Sequence, residues 1–163
     1  MSFRIGYGYD VHRFTTGYEI WIGGIKIPHD KGIEAYSDGD VLLHAICDAM
    51  LGAAKLRDIG YHFPDTSDNY KKIDSKILLQ ESSEKVLEKG FRIINIDATV
   101  TAQRPKLMDY IPQMEATIAR SLNISADEVN IKATTTERLG FEGREEGISA
   151  HAVVLLEKVN SVL

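Results

Sequence analysis

Apolar residues recur in two rhythms along this chain, every second position in some stretches and every third or fourth in others. Phe3 to Tyr9 reads as a strand. Tyr18 to Ile27 reads as strand, turn, strand, with Gly23-Gly24 at the reversal. Leu42, Ala45, Ile46, Ala49 and Ala53 then follow helical spacing, preceded by Ser37-x-x-Asp40, which resembles an N-terminal capping arrangement. A second helix is predicted from Ser75 to Lys89, with Asp74 as its cap and Gly90 as its stop. Strict alternation returns at Ile94, Ile96, Ala98, Val100 and Ala102 and ends at Arg104-Pro105-Lys106-Leu107-Met108. Pro112 suits the first turn of a third helix, which runs to about Leu122 with Ile118 and Leu122 inward. Val129, Ile131 and Ala133 mark another half-buried strand, and Ile148 to Lys158 a strongly apolar last one. Strands interleaved with three helices predict an α+β fold, a single domain whose mixed β-sheet carries the helices on one face, with a short β-hairpin near the N-terminus. The pattern does not give the strand order.

Length and composition fit that picture: 163 residues, 44% of them hydrophobic, suffice for one compact domain over residues 1–163. The first residues lack the apolar run of a signal peptide, and no later stretch is long enough to span a bilayer. A cytoplasmic protein without a membrane partner is therefore expected. A net charge of −5 argues against a nucleic-acid surface, so an anionic substrate must be held by a few local cations, backbone amides or metal ions. The lone Cys47 lies within a helical pattern and reads as a small buried hydrophobe.

Chemistry concentrates first in Gly6-Tyr7-Gly8-Tyr9-Asp10-Val11-His12. Asp10 and His12 share one face of the strand, and the glycines leave bare backbone that a ligand can approach. His44 is the best third ligand, and two histidines with one carboxylate and an open position suit a catalytic zinc ion. Asp40 and Asp48 lie four residues to either side of His44, where either can hydrogen-bond the imidazole and fix its orientation, or can simply belong to a polar helix face. His29 sits among turn formers and reads as solvated. The aromatic loop from Lys55 to Thr66 can wall a pocket in which Asp58 and Asp65 meet polyol hydroxyls, although Pro64-Asp65-Thr66 is also an ordinary turn. Arg104 and Lys106 are either phosphate contacts or two solvated bases. Thr134-Thr135-Thr136 ends a strand as a shelf of hydroxyls, and Glu137 can hold a hard cation beside a diphosphate; Thr134-x-x-Glu137 is equally a formal capping box. His151 reads as a packed or surface residue.

Taken together, these motifs resemble the 2-C-methyl-D-erythritol 2,4-cyclodiphosphate synthases of the methylerythritol phosphate route to isoprenoids. The resemblance runs nearly end to end through Gly8-Tyr9-Asp10-Val11-His12, Ser37-Asp38-Gly39-Asp40-Val41 with His44 and Asp48, Asp58-Ile59-Gly60, Phe63-Pro64-Asp65-Thr66, Pro105-Lys106, Ile111-Pro112-Gln113-Met114 and Lys132-Ala133-Thr134-Thr135-Thr136-Glu137 with Leu139-Gly140-Phe141. It implies that Asp10, His12 and His44 bind Zn²⁺ and that Glu137 helps bind Mg²⁺ or Mn²⁺ at the substrate diphosphate. It also implies that Asp58, Ile59, Gly60 and Asp65 hold the methylerythritol moiety, with Ser37 as a phosphate contact. Ala102, Pro105, Lys106, Leu107, Met108, Ala133, Thr134 and Thr135 match positions around the cytidine diphosphate half. The family is homotrimeric, with active sites shared between neighbouring subunits and an apolar axial channel open to an isoprenoid-like ligand, near which Tyr9, Phe141 and Arg144 fall. The chain departs from the family at Tyr36, where a histidine is usual. The implied reaction is an intramolecular phosphoryl transfer that releases CMP. The other function classes compatible with the residues are a zinc-dependent phosphohydrolase and a non-catalytic cytidine-nucleotide-binding module.

Overall fold

The computed structural model describes residues 2–159, so the expected domain limits at 1 and 163 lie outside the described residues. The first alternating stretch runs further than its pattern suggests. Strand β1 is Phe3–Thr15, so Asp10 and His12 lie within it rather than at its end. The Gly23-Gly24 reversal joins β2 (Ile20–Ile22) to β3 (Ile25–Ile27) in a separate two-stranded sheet. After β4 (Gly32–Ile33) come helix α1 (Val41–Ala53), the single turn α2 (Ile59–His62), and α3 (Ser75–Glu88). The chain continues through β5 (Phe91–Thr101), α4 (Ile111–Leu122), β6 (Val129–Thr134), the turn α5 (Gly140–Gly143) and β7 (Gly147–Lys158). The main sheet is ordered β4-β1-β7-β5-β6, antiparallel except for the parallel β5–β6 pair. Three substantial helices cover one face: α1 lies on β1 and β7, α4 on β6, and α3 packs between α1 and α4.

Several expectations are corrected by packing. Ser37 does not begin a helix; Asp40 is itself the cap of α1, its carboxylate accepting from the Leu43 N–H at 3.0 Å. The same buried carboxylate accepts from the N–H groups of Gly23 at 2.9 Å and Gly24 at 2.6 Å, which ties the hairpin to the helix start. Burial, with the charge of Asp38, pushes the Asp40 carboxyl up from the usual range, against the opposing pull of those three donors. Ile94 is only half-buried, because a bulge between Ile93 and Asn95 shifts the inward row to Phe91, Ile93, Ile96, Ala98 and Val100. Ala133 is exposed rather than inward. His29 is not a solvated histidine: its ring lies beneath Phe14 with only 3% of the side chain exposed, and burial lowers its pKa.

Close backbone packing explains Gly6 and Gly8. A Cβ on Gly6 would lie 1.8 Å from the Ala49 carbonyl oxygen, and one on Gly8 would lie 1.9 Å from that of Ala45. These glycines therefore admit the backbone of α1, not a ligand. Small residues on both sides, Gly6 and Gly8 against Ala45, Ala49 and Ala53, let the helix sit directly on the strand and fix its position along it.

Candidate active site

Because Gly8 lies under Ala45, the next inward residue of β1, Asp10, meets the preceding residue of α1, His44, and His12 lies one step beyond. Three atoms converge. Asp10 Oδ2 is 3.0 Å from His12 Nε2 and 3.0 Å from His44 Nδ1, and the two ring nitrogens are 3.3 Å apart. Without a bound ion these groups are coupled by charge. Burial alone would raise the Asp10 carboxyl, but hydrogen bonds and charge from His12 and His44 outweigh it and hold the group below the usual carboxylate range. Burial alone would lower His44; Asp10, aided by Asp40 and Asp38, outweighs it and raises the imidazole pKa. A cluster that stabilises one negative and one positive charge in a half-buried corner is already arranged to replace the proton with a cation.

Neither Asp40 nor Asp48 orients the imidazole. Asp40 caps α1, and Asp48 accepts from the Ile59 N–H at 2.7 Å, holding α2 in place. His44 Nε2 instead lies 2.8 Å from Ser75 Oγ and 3.2 Å from Ser37 Oγ. Ser75 is bonded in turn to Asp38 through both its N–H, at 2.9 Å, and its hydroxyl. Sequence pattern offers no sign of this, since Ser75 reads only as the first residue of a helix and lies 31 residues from His44.

Beside the three-atom cluster is a pocket of about 150 Å³ whose wall includes His12, His44, Ser37, Ile59, Gly60 and Asp65. Asp58 is not in that wall; it caps α2 through the Tyr61 N–H at 2.9 Å. Tyr36 faces the pocket, and its hydroxyl donates to the Ser67 carbonyl at 2.8 Å, which ties together two loops that wall the pocket.

A second cleft, of about 380 Å³, gathers Ala102, Pro105, Lys106, Leu107, Met108, Ala133, Thr134 and Thr135. Here too the capping-box reading fails. No helix starts at Thr135; Glu137 and Arg138 adopt left-handed φ of 53° and 65°, and Thr135 Oγ1 both donates to the Glu137 carboxylate at 3.2 Å and accepts from the Glu137 N–H at 3.3 Å. Gln103 Oε1 receives the Arg138 N–H at 3.1 Å and links the two loops of the cleft, a role its place at the end of an alternating strand does not announce. The row Asp10–Ala150–Val100–Ala133 crosses the sheet from β1 to β6. At about 4.8 Å per strand the metal corner and the second cleft are separated by roughly 14 Å within the chain.

Tyr9 points to the open face of the sheet and packs against His151 with tilted rings 4.9 Å apart, and the Tyr7 hydroxyl is 2.8 Å from His151 Nδ1. Phe141 lies in α5, which is anchored to that face by the Ser149 hydroxyl donating to Glu142 at 2.8 Å, and Arg144 pairs with Glu146 at 2.9 Å. Among the described residues no helix is long and apolar enough to cross a membrane.

Comparison with known proteins follows the same lines. The model of the YgbB family matches residues 3–157. A 2-C-methyl-D-erythritol 2,4-cyclodiphosphate synthase of Bacteroides thetaiotaomicron is 59% identical over 158 residues, covering 97% of this chain and 99% of that one. The same-named protein of Azotobacter vinelandii is 58% identical over 153 residues, with 94% and 98% coverage. Among solved structures, the bifunctional IspDF from Campylobacter jejuni superposes with a TM-score of 0.94 at 44% identity, covering 98% of this chain and 43% of that longer one. IspF of Plasmodium falciparum, in a CDP complex, gives a TM-score of 0.86 at 33% identity over 98% of both chains.

Proposed function

The chain belongs to the YgbB family, and from that membership and the Asp10–His12–His44 triangle we propose that it converts 4-diphosphocytidyl-2-C-methyl-D-erythritol 2-phosphate to 2-C-methyl-D-erythritol 2,4-cyclodiphosphate, releasing CMP. It is a lyase acting by intramolecular phosphoryl transfer, and residues 1–163 are read as one synthase domain. An oxygen of the 2-phosphate forms a bond to the β-phosphorus as the bond from that phosphorus to the bridging oxygen breaks, and CMP departs with the bridging oxygen. The nucleophile belongs to the substrate, so the protein needs no nucleophilic side chain; its task is to fold a polyanion into line. Well-oriented intramolecular attack accounts for roughly 7–11 kcal/mol of such a barrier.

The metal assignment is zinc at Asp10, His12 and His44, and Mg²⁺ or Mn²⁺ at Glu137. The triangle suits zinc: bonds of about 2.05 Å in tetrahedral array put ligand atoms about 3.3 Å apart, close to the 3.0, 3.0 and 3.3 Å observed. Bound there, such an ion supplies Lewis-acid stabilisation of phosphoryl charge. The protein does the rest. Asp65 and the backbone of Ile59 and Gly60 meet the methylerythritol hydroxyls from the pocket wall, Asp58 beside the wall reaches the same moiety, Ser37 donates to a phosphate, Lys106 neutralises the diphosphate, and Thr134 and Thr135 hydrogen-bond it. Ala102, Pro105, Leu107, Met108 and Ala133 seat the cytidine, a reading supported by the CDP in the Plasmodium falciparum structure.

Assembly completes the site. On β1 the outward row Phe3, Ile5, Tyr7, Tyr9 and Val11 is apolar and exposed, Ile5 by 73%, where a water-facing sheet would carry polar residues. A homotrimer would cover this face and bring the nucleotide cleft of one subunit to the metal corner of its neighbour, meeting the 14 Å separation. Tyr9, Phe141 and Arg144 would then border an axial channel open to an isoprenoid-like ligand. The cytoplasm is the compartment of such a biosynthetic step.

Phosphorus NMR of the purified protein with substrate and Mg²⁺, before and after zinc is stripped and restored, tests the function. Zinc-dependent cyclic diphosphate with stoichiometric CMP is expected. Inorganic phosphate would instead mark a hydrolase, and an unchanged spectrum from folded, metal-loaded protein would refute the reading.

A further inference from the structure

His44 has two faces, and only one belongs to the metal corner. Nδ1 points at Asp10 and His12, whereas Nε2 points at Ser75 Oγ, 2.8 Å away, on a residue with no exposed surface. A serine hydroxyl has one hydrogen to give. In this structure it goes to Asp38 Oδ1, and Asp38 also accepts the N–H groups of Ser75, at 2.9 Å, and Asp40, at 3.1 Å. A carboxylate with three donors on it has nothing to return. Ser75 Oγ therefore offers His44 only a lone pair, which requires the proton on Nε2 and leaves the lone pair of a neutral ring on Nδ1.

We propose that Ser75 and Asp38 are the positioning pair of the metal centre, fixing His44 as its Nε2–H tautomer and aiming Nδ1 at the ion. The inference rests on the metal reading above. It also assigns separate tasks to the two serines near Nε2. Ser37 Oγ is further away, at 3.2 Å, and sits on the pocket wall, so it can turn to a substrate phosphate while Ser75 keeps the imidazole in place. The pair is anchored where two loops meet: the Asp38 N–H donates to the Ile73 carbonyl at 3.1 Å, and the Lys72 N–H to the Tyr36 carbonyl at 2.6 Å. The pocket wall and the metal ligand are thus set by one seam.

Three measurements on the full chain test this. In zinc-loaded wild-type protein labelled with ¹⁵N-histidine, His44 should show a metal-bound Nδ1 and a directly protonated Nε2; a metal-bound or unprotonated Nε2 would overturn the proposal without any variant. Ser75→Ala, checked for an unchanged circular dichroism spectrum, should lose about 10–100-fold in zinc affinity in a chelator competition, the usual cost of removing a partner of a metal-binding histidine. It should also give an altered visible spectrum with Co²⁺. Affinity and tautomer equal to wild type would refute the role of Ser75. If instead His44→Ala binds zinc as tightly as wild type, the metal reading itself fails, and that outcome is distinct from a null effect of Ser75→Ala.

Discussion

The two halves of the proposed site are built in opposite ways. The metal corner is made of side chains on a strand and a helix whose backbones touch, and its three donor atoms stand within 3.3 Å of one another before any ligand arrives. The nucleotide cleft is made of the last residues of β6 and the loops beyond β5 and β6, where the side chains of Thr134, Thr135 and Glu137 are hydrogen-bonded only within their own segment and two successive residues are left-handed. One half is fixed by core packing; the other rests on exposed segments with few contacts outside themselves. Order in the first follows from burying α1 on β1, a tertiary contact that the whole core enforces. Residues in exposed loops have no such support, and their geometry depends on ligand and neighbour.

The strongest test attacks the packing. Gly8→Val should abolish zinc binding and turnover together, because its Cβ would sit 1.9 Å from the Ala45 carbonyl oxygen and α1 would have to lift from β1. Overpacking of this kind costs about 3 kcal/mol. A chemical denaturation curve and a zinc titration check both effects. Normal zinc affinity in this variant would mean that the corner does not depend on the close approach.

Next in size is Ile5→Asp on the open face. The side chain is exposed in the single chain, so the fold should stand, while light scattering should show single copies instead of the proposed trimers. Turnover should fall about 10²-fold or more, since the reacting groups are no longer held together. Zinc affinity should persist, because all three donors come from one chain. Loss of zinc with loss of trimer would contradict the division between the halves.

Legibility in the sequence divides along the same line. Alternation and helical spacing identify the strands and the three helices because burial of one face is a local rule, and Asp-x-His on a strand exposes two ligands by the same rule. Strand order is not visible, since nothing local tells β1 to pair with β7. The bulge at Ile94 escapes because the alternation from Ile96 to Ala102 extends back to Ile94 without a visible break, although the extra residue puts Phe91 and Ile93, not Ile94, on the inward row. Gly6 and Gly8 are misread as room for a ligand, as sequence shows that space exists but not what enters it. Ser75 is invisible as the partner of His44, and Asp38 as the partner of Ser75, because the contact depends on how α3 docks beside α1.

A smaller effect is expected in the cleft itself. Lys106→Ala should lower kcat/KM by about 10–100-fold, the loss of one charge-assisted hydrogen bond to the diphosphate, or about 1.5–3 kcal/mol. Stability and zinc affinity should be those of the wild type, as Lys106 lies on an exposed loop whose removal uncovers no core. A variant that also lost zinc would show the halves to be coupled within one protomer.

The gentlest probe reads thiol labelling instead of activity and compares rigidity directly. Cys47 lies on α1 one turn from His44, fully buried, and burial pushes its thiol up to about 12. Below that pH the group stays protonated, and the native protein should give no reaction with a disulfide reagent at pH 8, whereas the guanidinium-unfolded chain should react once per subunit. A cysteine placed by Thr135→Cys should react in the native, ligand-free protein and be protected by CDP. Fast labelling of native Cys47 would show that α1 opens from the sheet readily, and the metal corner would then owe its order to the ion rather than to the packing of Gly6 and Gly8 under α1.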